Sequence, residues 1–443
     1  MKMPRVAITT LGCKVNQFES AALHTAFTAA GCSIVPFEGG CDIAVINTCA
    51  VTGRAGQQSR QLIRRALHHN PAATIVVTGC YAQAEAETVR GIDSRILLIG
   101  NAHKDELVQA ALAANGEGNA LASSLHSLHS IMAEVKHIFN LPVRHFSGRT
   151  RAYLRIQDGC NNFCSYCIVP HTRGRSRSLP IEEVISQAAI FAEAGYRELV
   201  ITGINTGKYG LDLNEGHTIN SLLAGLCVQF PQLRFRLSSI EPTEIDEAFL
   251  ELASQYPNLM PHFHIPLQSG DNRILAQMRR RYSAEDFAAV ITRLHEGLPQ
   301  AAIGCDVLSA FPGESDEEAN NTCALLTSLP ISYLHVFPYS KRPGTPAAAM
   351  PAQVGAAVKA ERVQRLRQLD SVLRERFYQA HLGKTFQVLV ERRLRKEPGM
   401  LQGFSENYIP IRFAGPGSLV RELVTVRLDK LSSDGPQGQL VEV

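Results

Sequence analysis

YLRIQDGCNNFCSYC, Tyr153 to Cys167, passes directly from an apolar run into a loop with three cysteines, Cys160, Cys164 and Cys167. YLRIQ reads as a buried strand. Strand-like runs continue through ELVITG, RFRLSS, HFHIPL, GCDVLS and YLHVFP, separated by helical patterns such as PIEEVISQAAIFAEAG. Six such units fall short of a closed eight-stranded barrel, so an open, partial TIM-like (β/α)6 barrel is expected. Chemistry in such barrels sits at the C-terminal ends of the strands, which is where the cysteine loop falls.

Three thiols flanked by Asn, Asp and Ser are not a core pattern. A structural zinc site wants a fourth protein ligand, and His171, the next in line, follows a proline and a turn. A redox pair would use only Cys164 and Cys167. Buried thiols, zinc and a redox pair all stay open, and an iron–sulfur cluster accounts best for all three cysteines. On a four-iron cluster three thiolates leave one iron without a protein ligand, a position open to a substrate.

The rest of the composition narrows the setting. Of 443 residues, 45% are apolar and 19% charged, which suits a soluble globular chain. No apolar run is long enough for a bilayer, so no membrane partner is expected. MKMPRVAITTLG lacks a cleavage pattern and reads as a first strand, not a signal peptide. The expected location is therefore cytoplasmic. Eleven cysteines in a reducing compartment point to metal binding or catalysis rather than disulfides. The net charge of +3 says little, but basic residues cluster at RGRSR (Arg173 to Arg177), MRRRY (Met278 to Tyr282) and ERRLRK (Glu391 to Lys396).

Upstream of the barrel, RVAIT, DIAVIN, TIVVTG and RILLIG are rich in Val and Ile and read as parallel strands. Helical patterns lie between them, such as NQFESAALHTAFTAAG, with Asn16 as N-cap and Gly31 past the end. This predicts a doubly wound α/β domain. Cys13 (TLGCKVNQFE), Cys49 (INTCAVT) and Cys80 (VTGCYAQ) each follow the C-terminal end of one of these strands. Adjacent parallel strands bring such ends into one crevice, so a second three-thiol cluster site is expected there. Cys32, Cys41, Cys227, Cys305 and Cys323 read as ordinary buried thiols.

Downstream, Val363, Leu366, Leu369, Leu373 and Phe377 mark a long amphipathic helix ended by Gly383. TFQVLVE, YIPIRF, VRELVTVRL and GQLVEV then alternate, as in a small antiparallel barrel. The expected division is an N-terminal α/β domain over 1–115, a linker with one short helix over 116–147, the partial barrel over 148–382 and the small β-barrel over 383–443.

CNNFCSYC resembles the Cys-x-x-x-Cys-x-x-Cys motif of radical S-adenosylmethionine enzymes. The resemblance implies that S-adenosylmethionine chelates the open iron and is cleaved there to a 5′-deoxyadenosyl radical. ITGINTG (Ile201 to Gly207) resembles the segment holding the methionine amine, which implies cofactor roles for Thr202, Gly203 and Asn205. SSIEP, with Glu241, and HIPLQSG, with Gln268 and Ser269, resemble nucleoside contacts.

With its two cysteine triads, nearly the whole chain resembles the methylthiotransferase family, which joins such an N-terminal domain to a radical domain and an RNA-binding TRAM barrel. IVPHTRGRSRS, VLSAFPGE and HVFPYSKRPGTP also resemble it, although Ala310 in VLSAFPGE stands where the family pattern has Gly. LGCKVNQFE is similar to the branch acting on N6-threonylcarbamoyladenosine in tRNA; the isopentenyladenosine branch more often reads GCQMN, and the ribosomal-protein branch LGCPKN.

This resemblance implies two [4Fe-4S] clusters, one on Cys160, Cys164 and Cys167 and one on Cys13, Cys49 and Cys80. It implies two uses of S-adenosylmethionine, methylation of a sulfur and radical formation, with methylthio placed at C2 of the adenine beside the anticodon. An unactivated C–H bond there calls for radical chemistry. An electron donor and a sulfur source are implied but not identified, and no catalytic acid or base is assigned. Arg173, Arg175 and Arg177 are expected to meet phosphate or the cofactor carboxylate, unless they form a solvated surface run. Arg392, Arg393 and Arg395 are expected to meet RNA. Two alternatives stand beside this reading: a methylthiotransferase for a ribosomal-protein aspartate, and a non-catalytic RNA-binding scaffold with structural metal.

Overall fold

A computed structural model describes residues 3–116, 127–139, 141–213 and 216–442. The chain forms two compact units. The first joins Met1–Ser147 to Arg155–Ile190 and Ser340–Ala349; the second takes Gly148–Leu154, Phe191–Tyr339 and Met350–Val443. The cysteine loop thus belongs to the first unit, although its strand series reads as barrel. Among the described residues no helix is long and apolar enough to cross a membrane.

The first unit is built on a six-stranded sheet of β1 (Arg5–Thr10), β2 (Ser33–Ile34), β3 (Ile43–Thr48), β4 (Thr74–Gly79), β5 (Ile96–Ile99) and β6 (Ser127–Leu128). The strand order is β2-β1-β3-β4-β5-β6, with every pair parallel. The central strand β3 is buried at all six positions, as a strand covered on both faces must be. Helix α1 (Lys14–Ala29) buries Phe18, Ala22, Leu23 and Phe27, and α2 (Gly53–His69) buries Gly56, Ser59, Ile63 and Ala66, both at helical spacing. The short α3 (Cys80–Ala84) follows β4 directly.

One expectation fails here in detail. Asn16 is not the N-cap: α1 begins at Lys14 after Cys13. The Asn16 amide instead donates to the carbonyls of Leu11 at 2.7 Å and Thr48 at 3.0 Å, tying the helix start to two strand ends. The helix expected within 116–147 falls partly on residues 117–126 and 140, which lie outside the described residues. The described remainder holds β6 and a 3₁₀ turn, Met132–Glu134.

After β7 (Ala152–Arg155) the chain makes a two-residue antiparallel ladder, β8 (Gln157–Asp158) with β9 (Arg177–Ser178), which closes the base of the cysteine loop. In the second unit β10 (Glu198–Thr202) and β11 (Arg234–Leu237) continue from β7 in the order β11-β10-β7. The strands β12 (His262–His264), β13 (Ala302–Ser309) and β14 (Tyr333–Pro338) form a second parallel sheet. These are the six expected strands of the partial barrel. The long helix Ala356–Gln379 buries Val363, Leu366 and Leu373.

The C-terminal strands β15 (Thr385–Arg393), β16 (Met400–Phe404), β17 (Pro410–Ala414), β18 (Leu423–Ser432) and β19 (Gly435–Glu442) close in the order β15-β16-β17-β19-β18. Phe386, Val388, Val390, Leu401, Ile411, Phe413, Val424 and Val426 fill this barrel. It differs from the expectation in two ways. MLQGF is an extra strand, hidden by its glycine, and β17 meets β19 in parallel, which is how a five-stranded ring closes without an edge.

Candidate functional site

Cys13, Cys49 and Cys80 stand just past β1, β3 and β4, three strands adjacent in the sheet. Cys49 and Cys80 are buried. A Cβ on Gly12, whose φ is +102°, would lie 2.9 Å from the Cys49 Sγ, so only glycine lets these two turns approach so closely. Cys13 is exposed at its rim, but the protein packed around it draws water away and raises its thiol, and burial raises that of Cys49 to about 11; each feels the neighbouring thiols. Metal binding at this site must therefore displace protons.

A buried charged group opposes that cost. Arg173 lies 2.9 Å from Glu19 and 3.0 Å from Asp158, and its Nη2 donates to Asn16 Oδ1 at 2.6 Å. Lys104 pairs with the other Glu19 oxygen, and Arg155 stands 3.9 Å from Glu19. Burial alone would raise the Glu19 carboxyl, but Arg173 and Lys104 hold it below the ordinary carboxylate range. Three cations against two carboxylates leave this pocket positive, and the Arg173 charge favours the Cys13 thiolate against burial.

The same Arg173 reaches the second triad. Asp158 Oδ1 accepts the Arg173 Nη1 and also the Gly159 amide, at 2.8 Å, at the start of the Cys160 loop. Gly159 has φ +74°, and a Cβ there would lie 1.9 Å from the Arg175 carbonyl oxygen, so the loop needs glycine. The Gln157 amide donates to the carbonyls of Asp158 and Gly159 and to Ser176 Oγ, and the Cys160 amide donates to the Gly174 carbonyl at 3.1 Å. Cys164 is buried, and Cys160 and Cys167 are half-buried. The Asn162 amide points at the Cys160 Sγ at 3.4 Å, a donor suited to a ligating thiolate. Each triad offers three sulfurs, which would leave one iron of a four-iron cluster to another ligand; the Asn162 amide faces the Cys160 sulfur, and Arg173 sets positive charge beside Cys13.

In the second unit Thr202 ends β10, with Gly203 and Asn205 just after it, Glu241 lies four residues past β11, and Gln268 and Ser269 lie four and five past β12. Thr202 and Ser269 are nearly fully buried; their hydroxyls contact the Val200 carbonyl and Thr322 Oγ1, so they offer a ligand little beyond backbone. Gly203 is half-buried, and Asn205 is buried beside it. Glu241 opens a 3₁₀ turn and pairs with Arg280. Gln268 has φ +68°, while its amide and carbonyl bond to Asp306 and Leu308 on β13. Such strain in a non-glycine residue accumulates at functional positions.

The expected RNA-facing arginines divide. Arg173 and Arg177 are buried and held by protein partners, so they are corrected from surface contacts to structural ones. Their spacing in RGRSR hides this, because Arg173 ends a short helix, Val169–Arg173, while Arg177 sits on β9, and each is buried by its own partners. Arg175 is exposed over the Phe163 ring, and Arg392, Arg393 and Arg395 are exposed on and after β15.

Sequence reasoning missed two groups. Glu19, Lys104, Arg155 and Asp158 carry no local signal, since they meet only through the fold. His264, Asp306 and His335 come from three adjacent strands; His264 Nε2 lies 2.7 Å from Asp306, and His335 Nδ1 lies 3.5 Å from it. Strand register brings them together, with Asp306 opposite His335.

Comparison with known proteins agrees with this geometry. The profile described as "Uncharacterized protein family UPF0004" matches residues 5–100, and that of the "Radical SAM superfamily" matches residues 154–326. The chain is 38% identical over 451 aligned positions, covering 100% of it and 97% of the relative, to the threonylcarbamoyladenosine tRNA methylthiotransferase MtaB of Bacillus subtilis. It is 37% identical to the protein of that name from Aquifex aeolicus, covering 95% of this chain and 100% of the relative. Among solved structures it is similar in fold to the radical S-adenosylmethionine methyltransferase TsrM of Kitasatospora setae, with a TM-score of 0.55 at 13% identity, covering 78% of this chain and 74% of that one. Two triads at strand ends, a partial barrel, a closed C-terminal barrel and full-length likeness to these relatives agree: the chain belongs to the radical S-adenosylmethionine methylthiotransferase family, on its threonylcarbamoyladenosine branch.

Proposed function

We propose that this protein replaces the C2 hydrogen of N6-threonylcarbamoyladenosine in tRNA with a methylthio group. The observation that carries this reading is the pair of three-thiol sites in the first unit, tied to one buried arginine. Cys160, Cys164 and Cys167 hold one [4Fe-4S] cluster, and Cys13, Cys49 and Cys80 the other. When bound, the clusters and S-adenosylmethionine supply one-electron cleavage at the first triad and a methylated sulfur at the second.

The chain's own residues do the rest. Arg173 and Lys104 set positive charge beside the Cys13 triad, and the Asn162 amide meets the Cys160 sulfur. Gly203, Asn205, Glu241 and Gln268, with the backbone at Thr202 and Ser269, line the cofactor's position. Arg392, Arg393 and Arg395 of the 383–443 barrel meet the RNA. The α/β domain of 1–115, the 116–147 linker and the 148–382 radical domain divide these tasks. The setting is the cytoplasm, with an electron donor and a sulfur source still to be identified.

Nucleoside mass spectrometry of tRNA from a deletion strain tests this. The 2-methylthio form should vanish and return with the wild-type gene, but not with Cys49→Ala. Loss of a ribosomal-protein aspartate mark instead would select that alternative, and no loss of either would select a scaffold.

A further inference from the structure

The first unit carries an open groove of about 570 Å³ lined by Gly53, Arg60, Tyr81, Glu85, Lys341 and Arg342, among others. We infer that this groove, with the outer face of α2, binds the phosphodiester backbone of the RNA substrate; the inference rests on the tRNA reading above.

Charge is the first argument. The groove is lined by three cations, Arg60, Lys341 and Arg342, against one acid, Glu85. Among the described residues neither Arg60 nor Lys341 has an ion-pair partner. Lys341 is exposed, and Arg60 is held at the wall by Tyr81, whose hydroxyl accepts its Nη1 at 2.7 Å. From the groove runs α2, whose sequence GRAGQQSRQLIRRALHH has four arginines and no acid. Arg54 and Arg64 are exposed on it, and Arg65 pairs with Glu38. A cationic groove continued by an acid-free helix face is the footprint of a polyanion.

Position is the second argument. The Ser340–Ala349 segment places Lys341 and Arg342, and it touches both cysteine loops. Arg342 Nη1 donates to the carbonyl of Ala50, next after Cys49, at 3.4 Å, and Ser340 Oγ accepts the Gly53 amide at 2.9 Å. The Ala347 amide donates to the carbonyl of Ser165, between Cys164 and Cys167, at 2.8 Å. Tyr81 follows Cys80 directly. The groove therefore rims the thiol sites, where a base delivered for sulfur transfer must arrive with its backbone still outside. An acidic electron-transfer protein is the competing occupant. The cations here line a groove continued by an acid-free helix face, a linear track that suits a chain of phosphates.

The test uses cluster-loaded full-length protein and a 5′-labelled anticodon stem-loop RNA, with Kd measured by anisotropy across a salt series. Lys341→Ala, Arg64→Ala and the double variant are compared with wild type and with Arg293→Ala, an exposed control in the second unit. Each lost phosphate contact should make the slope of log Kd against log salt shallower by about 0.7–0.9, and the double variant should bind roughly tenfold more weakly at low salt. Iron content and far-UV dichroism confirm folding, and Lys341, an exposed side chain, is a safe site to change. Wild-type affinity and slope in all three variants would overturn the groove while leaving the tRNA reading intact. Wild-type protein that binds no RNA would overturn that reading itself. Unchanged RNA binding with lost reduction by an acidic flavodoxin-type protein would assign the groove to that donor.

Discussion

The Arg173 guanidinium lies 2.9 Å from the Glu19 carboxylate, and both side chains are buried. Through Asp158 and Asn16 the same guanidinium joins the turn after Cys13 to the loop before Cys160. Two candidate cluster sites, some 150 positions apart in sequence, thus share one cation, and its removal has consequences for stability as well as chemistry.

Arg173→Met leaves Glu19 and Asp158 buried against fewer cations. Removing one partner of a buried pair costs about 3–5 kcal/mol, and urea unfolding under anaerobic conditions should show a loss of that order. Adding Glu19→Gln to Arg173→Met should restore part of it. A loss under about 1 kcal/mol, the scale of an exposed ion pair, would contradict the network.

Glu19 also sets an acid limit. Its carboxyl is held below the ordinary range by Arg173 and Lys104, against burial. The unfolded chain therefore binds a proton at Glu19 before the folded one does. Its contribution is fully present above about pH 4.5 and is lost as the pH falls further toward the folded value. Glu19→Gln should be less stable than wild type at neutral pH but flatter below about pH 4.5. Parallel curves for the two proteins would rule this out.

Much of this was legible in the sequence. All six barrel strands fall on the expected apolar runs, because buried parallel strands are continuous in Val, Ile and Leu. Cys13, Cys49 and Cys80 were readable as a group because parallel strands share one C-terminal edge. The burial of Arg173 and Arg177 was not readable, since a run of arginines looks the same whether it meets water or buried acids. Nor was the parallel closure of β17 on β19, which depends on the ring as a whole and on no local pattern.

Ala310 stands where the family pattern has Gly, and its φ of +60° is the left-handed region that glycine favours. Strain of roughly 1–2 kcal/mol there is partly offset by the lower unfolded-state entropy of Ala. Ala310→Gly should leave the melting temperature unchanged or raise it by a few degrees. A clear fall, as expected for Ala→Gly in an ordinary strand, would contradict the assignment of strain.

Removing the C-terminal barrel is a poor test of RNA binding. Arg236 donates to the Glu406 carbonyl at 2.9 Å, and the Tyr408 ring lies 4.5 Å from that of His262, so truncation after His381 strips the second unit's own packing. Single Ala changes at Arg392, Arg393 and Arg395 are cleaner. Each that meets phosphate should weaken RNA binding a few-fold and make the salt slope shallower by about 0.7. No change in any of them would remove the barrel from the RNA surface.

The central claim is that the two triads do different jobs, and one experiment separates them. Wild type, Cys160→Ala and Cys49→Ala are run anaerobically with dithionite, S-adenosylmethionine and tRNA bearing N6-threonylcarbamoyladenosine. 5′-Deoxyadenosine, S-adenosylhomocysteine and tRNA nucleosides are measured from the same tubes, after iron content and far-UV dichroism confirm each variant. Cys160→Ala should make no 5′-deoxyadenosine. Cys49→Ala should still make it, but should lose S-adenosylhomocysteine and the methylthio nucleoside together. A folded Cys49→Ala protein that forms the methylthio nucleoside at the wild-type rate would reduce Cys13, Cys49 and Cys80 to bystander thiols and contradict the account.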